Sequence, residues 1–132
     1  MKRAPLALPQ FEPGSTTIYK YVRYRGAVIS SSLKDSVFKL ASGEIIKVHR
    51  VRLLEKETIV EARVITDLRA LFTSTMDSRE LGVYKTTLDV DPRVVVVKPS
   101  EIEHKFFTLP ARDNDFAIMP MTRIGGNNFD RM

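Results

Sequence analysis

Hydrophobic and polar residues alternate with a period of two along much of this chain, and that period is typical of β-strands. The pattern is clearest in residues 35–65, where it predicts a meander of three antiparallel strands over residues 35–40, 45–53 and 58–65. Gly43 lies in the first connection and is free to take the positive φ of a tight turn. The alternation slips at His49-Arg50, which indicates a β-bulge.

Other short segments are rich in β-branched and aromatic residues and predict further strands. They are residues 18–25, 27–29, 82–87, 93–98, 104–109 and 115–119. Gly26 separates the first two segments and indicates a bend or bulge. Four consecutive valines at residues 94–97 indicate a strand that is covered on both faces. Residues 67–72 begin with an acidic cap and predict one helical turn, and residues 99–103 predict another.

Seven or eight short strands with tight turns and little helix predict an all-β fold. We expect a small antiparallel barrel or a strongly curled sheet, because closing a small sheet hides its edges. The 132 residues suit a single domain. We predict that this domain spans residues 17–120, between a proline-rich arm or linker (1–16) and a flexible tail (121–132).

Charge and composition narrow the function classes. The net charge is +5, and residues 1–66 hold 12 Lys and Arg against 6 Asp and Glu. An excess of basic residues is typical of a positive surface that attracts polyanions. Alternatively, these residues form a solvated surface that has no ligand. The chain has no cysteine, which excludes disulfides, thiolate metal sites and a cysteine nucleophile. Lacking a long apolar run or a signal-peptide core, it is predicted to be nuclear or otherwise intracellular, not secreted, with no membrane partner.

The sequence contains no recognisable catalytic motif. His49 and His104 lie on different predicted strands, and a metal site would require them to meet a carboxylate such as Glu61 or Glu103. No nucleophile elbow, glycine-rich phosphate loop or complete calcium loop is present. We therefore expect a protein that is not an enzyme, with no cofactor, no metal and no small-molecule substrate.

The best candidate for binding is a strand in which cations and aromatic rings interleave. Period two places Tyr19, Tyr21, Arg23 and Arg25 on one face, where rings stack bases and guanidinium groups neutralise phosphates. Basic residues of the third strand would extend this patch. Alternatively, the tyrosines cover the sheet and the arginines are solvated. The predicted nucleic-acid-binding residues are Tyr19, Lys20, Tyr21, Arg23, Arg25, Lys47, Arg50 and Arg52.

Peptide recognition is the alternative. Phe72, Tyr84 and Phe107 would form an aromatic cage for a methylated lysine if loops bring them together. Because phenylalanine is commonly buried, we favour a core position for Phe72 and Phe107. A third possibility is that the edge at residues 93–97 recruits a partner by strand addition.

Several segments, taken in order, resemble the bromo-adjacent homology (BAH) domain, a β-barrel-like chromatin module. They are residues 37–46, Val48, the return strand that ends at 63–64, and residues 67–72, 77–84, 94–97 and 99–106. The chain is also similar to C-terminal β domains of uncharacterised mobile-element-derived proteins of animals, through Asp35-Ser36-Val37, Gly43-Glu44-Ile45, Ile102-Glu103-His104-Lys105 and Leu109-Pro110. These resemblances cover about residues 18–120. They imply a binding module whose partner is DNA, RNA or a chromatin protein, with peptide recognition, including a histone tail, as the alternative.

Overall fold

The computed structural model describes residues 16–123, and these residues form mainly antiparallel β-structure. The strands are β1 (Thr16–Tyr19), β2 (Tyr21–Tyr24), β3 (Ala27–Ser30), β4 (Val37–Leu40), β5 (Ile45–Leu54), β6 (Glu57–Val64), β7 (Arg69–Ala70), β8 (Tyr84–Thr86), β9 (Val95–Val97), β10 (Ile102–Pro110) and β11 (Phe116–Arg123). Three short 3₁₀ turns, Leu33–Asp35, Ser78–Leu81 and Pro99–Glu101, lie between them.

Nine strands form the main sheet, in the order β7-β8-β11-β10-β4-β5-β6-β9, with β1 paired to the second half of β5. Strands β2 and β3 form a separate hairpin. The all-β antiparallel fold is therefore confirmed. The end strands β7 and β9 do not pair with each other, so no closed barrel is found within the described residues. In residues 16–123, no helix has the length and hydrophobicity needed to cross a lipid bilayer.

The predicted meander is confirmed as β4, β5 and β6. Gly43 has a φ of 101° in the turn between β4 and β5, a conformation that glycine adopts without strain. The register of β5 against β6 shifts between Val48 and Arg50, which confirms the predicted bulge. These features were predictable because each depends on residues that are close in sequence.

The two faces of the main sheet are buried against different parts of the chain. On one face, Phe38, Ile46 and Val48 form a core with Ala27 and Ile29 of the β2–β3 hairpin. We call this the hairpin-covered face. On the other face, a second core contains Val37, Ile45, Ile65, Phe106 and Ile118. This second core covers only part of its face and leaves the neighbouring surface of β5 and β6 outside it.

The prediction of one strand over residues 18–25 is wrong. The chain bends at Lys20, so that β1 pairs with β5 whereas β2 pairs with β3. Gly26 does not mark a bulge in a continuous strand. With Arg25 it forms a two-residue hairpin turn in which both residues have positive φ, 52° and 86°. Turns of this kind match the natural twist of the strands they join.

Two further expectations are corrected. Residues 67–72 contain no helical turn, because the Asp67 carboxylate accepts hydrogen bonds from Arg69 Nε and the Thr87 backbone and Arg69–Ala70 forms β7. The valine run is not covered on both faces, since Val94 is exposed and Val96 is 53% exposed.

The 3₁₀ turn at Pro99–Glu101 confirms the second predicted helical turn. The proposed arm (1–16) and tail (121–132) lie outside the described residues except at their inner ends, where Thr16 belongs to β1 and residues 121–123 belong to β11.

Candidate functional site

The bulge at His49 decides which side chains of β5 share a face. Ile46, Val48 and Val51 all belong to the core of the hairpin-covered face. Because the bulge adds one residue after Val48, Arg50 and Arg52 point away from that core, on the same side as Lys47. Without the extra residue, strict alternation would direct both arginines into the apolar interior.

Strand β6 completes this surface. Arg63 lies directly opposite Lys47, and Glu61 lies directly opposite Arg50. Val60 and Ala62 alternate with them and are buried in the hairpin-covered core. We define the basic face as six side chains that lie on the other side of β5 and β6: Lys47, His49, Arg50, Arg52, Glu61 and Arg63. It carries one lysine, three arginines and one carboxylate, besides His49.

Glu61 is the centre of the basic face. Its Oε1 accepts a hydrogen bond of 2.8 Å from Arg50 Nε, and its Oε2 accepts one of 2.7 Å from Arg52 Nε. His49 Nε2 lies 3.9 Å from Oε1. The side chains of Arg52 and Glu61 are only 5% and 6% exposed, whereas that of Arg50 is 44% exposed. Arg52 therefore serves as a buried partner of Glu61, and Arg50 remains accessible to a ligand.

The positive charge of the basic face exceeds what Glu61 neutralises. Burial lowers the pKa of Lys47 below its usual value. Burial also lowers the pKa of His49, and the charges of Arg63, Arg50 and Lys47 lower it further, while Glu61 opposes them. Arg63 Nε is buried and has no hydrogen-bond partner in the part of the chain that the structure describes. An anion at this face would relieve the mutual repulsion of these cations.

The structure separates the residues that the sequence placed on the first strand. Tyr19 packs against the hairpin-covered core, as do Val22 and Tyr24. Tyr21 and Arg23 are exposed on the outer side of the hairpin. The prediction that Tyr19 shares a face with Tyr21, Arg23 and Arg25 is therefore wrong, because the bend at Lys20 interrupts the alternation.

The hairpin and the basic face are also on opposite sides of the main sheet. The hairpin covers one face of β5, and Lys47, Arg50 and Arg52 project from the other. The expectation that these three residues extend the aromatic patch of the first strand is wrong. Lys20, Arg23 and Arg25 are exposed near the hairpin, and Arg25 lies over the Tyr24 ring at 5.4 Å and donates from Nε to its hydroxyl. The two basic surfaces must be considered separately.

A cleft of about 360 Å³ adjoins the hairpin, between β2, β6 and the 3₁₀ turn at Pro99–Glu101. Arg23, Tyr24 and Lys98 contribute to its lining. Lys98 Nζ lies 3.5 Å from Glu57, which also lines the cleft. The charge of this cleft is therefore more nearly balanced than that of the basic face.

The three aromatic residues considered for peptide binding are not gathered into a cage. Tyr84 packs against the second core, to which Phe106 belongs. Phe107 follows Phe106 on β10, so its ring points to the opposite side of that strand, where it is 48% exposed. Phe72 is also exposed. The expectation that Phe72 and Phe107 are core residues is wrong.

The two histidines are separated as well. His104 lies on β10 opposite Lys39 of β4, and β4 stands between β10 and the strand that carries His49. Within residues 16–123, no group of three or more His, Cys, Asp or Glu side chains is placed to hold a metal ion. Sequence reasoning did not identify Arg63, nor Glu61 as the partner of two arginines. The period-two spacing of Glu61 and Arg63 on β6 was the available signal.

Comparison with known proteins gives one match. The profile of a family described as Domain of unknown function (DUF8592) matches residues 3–121, which is most of the chain. No curated protein and no solved structure shows a significant match.

Proposed function

Because the chain belongs to the DUF8592 family, whose description assigns no activity, we propose a function from its surface: a non-enzymatic binding module whose basic face binds the phosphate backbone of nucleic acid. The observation that carries this proposal is the excess of cations around Glu61. Lys47, Arg50 and Arg63 project from two adjacent strands, and Glu61 is already engaged by Arg50 and Arg52. A polyanion offers the negative charge that this surface lacks.

Apolar side chains beside the basic face suit a nucleic-acid ligand. Val96 of β9 lies directly opposite Glu61, and Val97 next to it is buried in the hairpin-covered core. Val96 therefore projects on the same side as Glu61, where it is exposed. Sugars and bases present apolar surface next to their phosphates, so a cationic surface with an apolar border matches both parts of the ligand.

The proposal also includes the more specific predictions made from the sequence, namely a BAH-like domain and a chromatin-associated role. The all-β fold and the β4–β6 meander support a BAH-like domain in coarse outline. A chromatin-associated role, in a protein of mobile-element origin that acts in the nucleus or elsewhere within the cell, rests on the resemblance described above. The basic face is compatible with DNA and with RNA, because phosphate contacts carry no sequence information.

Salt dependence tests this proposal. Fluorescence anisotropy of a labelled 20-nucleotide single strand, titrated with the protein at several salt concentrations, should show log K falling with log [salt] at a slope of about −2, as expected for three neutralised phosphates. A peptide nucleic acid of the same sequence has no phosphates and should not bind. Absence of binding to the single strand, or a slope near zero, would contradict the proposal.

Peptide recognition by strand addition is the second candidate. It is favoured by β9, which ends the main sheet and exposes Val96, with Val94 exposed just before the strand begins. An exposed apolar edge strand offers backbone groups and side-chain contacts to an extended peptide. Under this function the nucleic acid would not bind, and Val96→Lys would abolish peptide binding while leaving the fold intact.

A further inference from the structure

The carboxylate of Glu61 is unexpected at the centre of a face that binds an anion. A carboxylate at the centre of such a face lowers its positive potential, so charge alone makes Glu61 unfavourable for binding. Its contacts suggest another role. Both arginines donate to Glu61 through Nε, Arg50 to Oε1 and Arg52 to Oε2. A guanidinium group that is held through Nε still has the edge formed by its two Nη atoms, and that edge matches two oxygens of a phosphate.

We propose that Glu61 is a positioning residue that fixes Arg50 so that its Nη edge is presented to a phosphate group of the ligand. This inference rests on the proposed function and adds the device by which the basic face recognises phosphate. Arg52 is the anchor of the arrangement, because it is buried and holds the second oxygen of the same carboxylate. Glu61 therefore has a fixed orientation before any ligand arrives.

Fixing Arg50 in advance favours binding. A free arginine side chain samples many rotamers, and a ligand that immobilises it must overcome that loss of entropy. Arg50 is accessible to solvent, yet its Nε is held at 2.8 Å from a buried carboxylate. Arg50 has thus lost most of its rotamer freedom on folding. Less conformational entropy is lost on binding, so more of the free energy of the phosphate contact contributes to affinity.

Two substitutions at one position separate positioning from charge. Glu61→Gln removes the negative charge and keeps the shape, whereas Glu61→Asp keeps the charge but shortens the side chain by one methylene. If Glu61 acts only through its charge, Glu61→Gln binds the labelled single strand more tightly and Glu61→Asp binds as the wild type does. If Glu61 positions Arg50, Glu61→Asp, which keeps the charge, binds more weakly, by about five- to tenfold for a lost charge-assisted contact, and Glu61→Gln does not show the tighter binding that loss of the charge alone would give.

A double-mutant cycle measures whether the effect of Glu61→Asp on binding depends on Arg50. A purely structural role of Glu61 would not produce this dependence. The loss caused by Glu61→Asp should disappear in an Arg50→Ala background, because there is no longer an arginine to position. Circular dichroism establishes that each variant is folded, and Glu61→Asp decides the matter if Glu61→Gln does not fold.

The outcomes distinguish this inference from the proposed function. Salt-dependent binding by the wild type, with unchanged affinity in Glu61→Asp or additive effects in the cycle, overturns the positioning role and leaves the proposed function intact. Absence of salt-dependent binding by the wild type overturns both. Weaker binding in Glu61→Asp that vanishes without Arg50 supports both.

Discussion

The buried Glu61 carboxylate pairs with the buried Arg52 and with the exposed Arg50. Its effect on stability follows from its burial. Arg52 is almost fully buried, and its Nε donates to Glu61. A buried guanidinium group without its carboxylate is strongly destabilising, whereas replacing the whole pair with apolar residues is often neutral. The two partners therefore have to be judged together.

Replacing Glu61 with alanine should lower the free energy of unfolding by about 3 kcal/mol, because Arg52 loses its buried partner. Urea denaturation measures this change. The matched control is the double variant Arg52→Met, Glu61→Leu, which removes both charges and should unfold close to the wild-type midpoint. A double variant that is as unstable as Glu61→Ala would show that the ion pair itself stabilises the fold.

His49 makes stability depend on pH. Its folded-state pKa lies below its usual value, first because of burial and then because of Arg63. The unfolded chain therefore takes up a proton at His49 at a higher pH than the folded chain does, so stability falls as the pH drops from about 7 towards 5. His49→Gln should unfold at the same urea concentration as the wild type at pH 8 and at a higher one at pH 5. Equal midpoints at both pH values would contradict this explanation.

At the level of elements, the sequence predicted what depends on neighbouring residues. The β4–β6 meander, the turn at Gly43 and the bulge at His49 follow from local alternation, and the structure confirms them. The bend at Lys20 could not be predicted in this way. Residues 18–25 have strand-forming side chains throughout, and the break arises because β1 pairs with β5, more than 30 residues along the chain, whereas β2 pairs with the neighbouring β3.

The candidate site was partly predictable for the same reason. Lys47, Arg50 and Arg52 were identified from the basic residues of one strand, and the bulge brings them to one face. Their pairing with Glu61 depends on the register between β5 and β6, which period two alone does not fix. The separation of this face from the hairpin depends on how the hairpin packs on the sheet, and that is a tertiary feature.

The hairpin itself is joined to the main sheet by a buried lysine. Lys105 of β10 donates from Nζ to the Val28 backbone oxygen and to Asp35, both at 2.7 Å. Its side chain is 8% exposed, and Nζ lies 5.9 Å from the centre of the Phe38 ring. A single side chain thus satisfies groups from β3 and from the 3₁₀ turn at Leu33–Asp35.

Lys105→Met should destabilise the protein by about 2–3 kcal/mol, because the Val28 oxygen and the Asp35 carboxylate lose a charged donor. Hydrogen exchange should show the backbone amides of residues 21–30 losing protection before those of the meander. Lys85→Met is the matched control, since Lys85 is more exposed and lies 3.7 Å from Asp115. It should change stability by less than about 1 kcal/mol. Equal effects of the two substitutions would contradict the role of Lys105.

On the scale of the whole molecule, the fold produces two basic surfaces that face opposite directions. The hairpin covers one face of β5 and carries Arg23 on its outer side, while the basic face projects from the other. Net charge is a property of the whole chain and attracts a polyanion to either surface. The arrangement around Glu61 distinguishes the basic face, because there the cations converge on a single carboxylate.

The most direct test compares nucleic-acid binding by two variants that each lose three positive charges. One is Lys47→Ala, Arg50→Ala, Arg63→Ala on the basic face. The other is Lys20→Ala, Arg23→Ala, Arg25→Asn near the hairpin, with asparagine chosen because residue 25 has a positive φ. By anisotropy at one salt concentration, the basic-face variant should bind at least about tenfold more weakly than the hairpin variant. Equal affinities, or weaker binding by the hairpin variant, would contradict the assignment of the basic face as the binding surface.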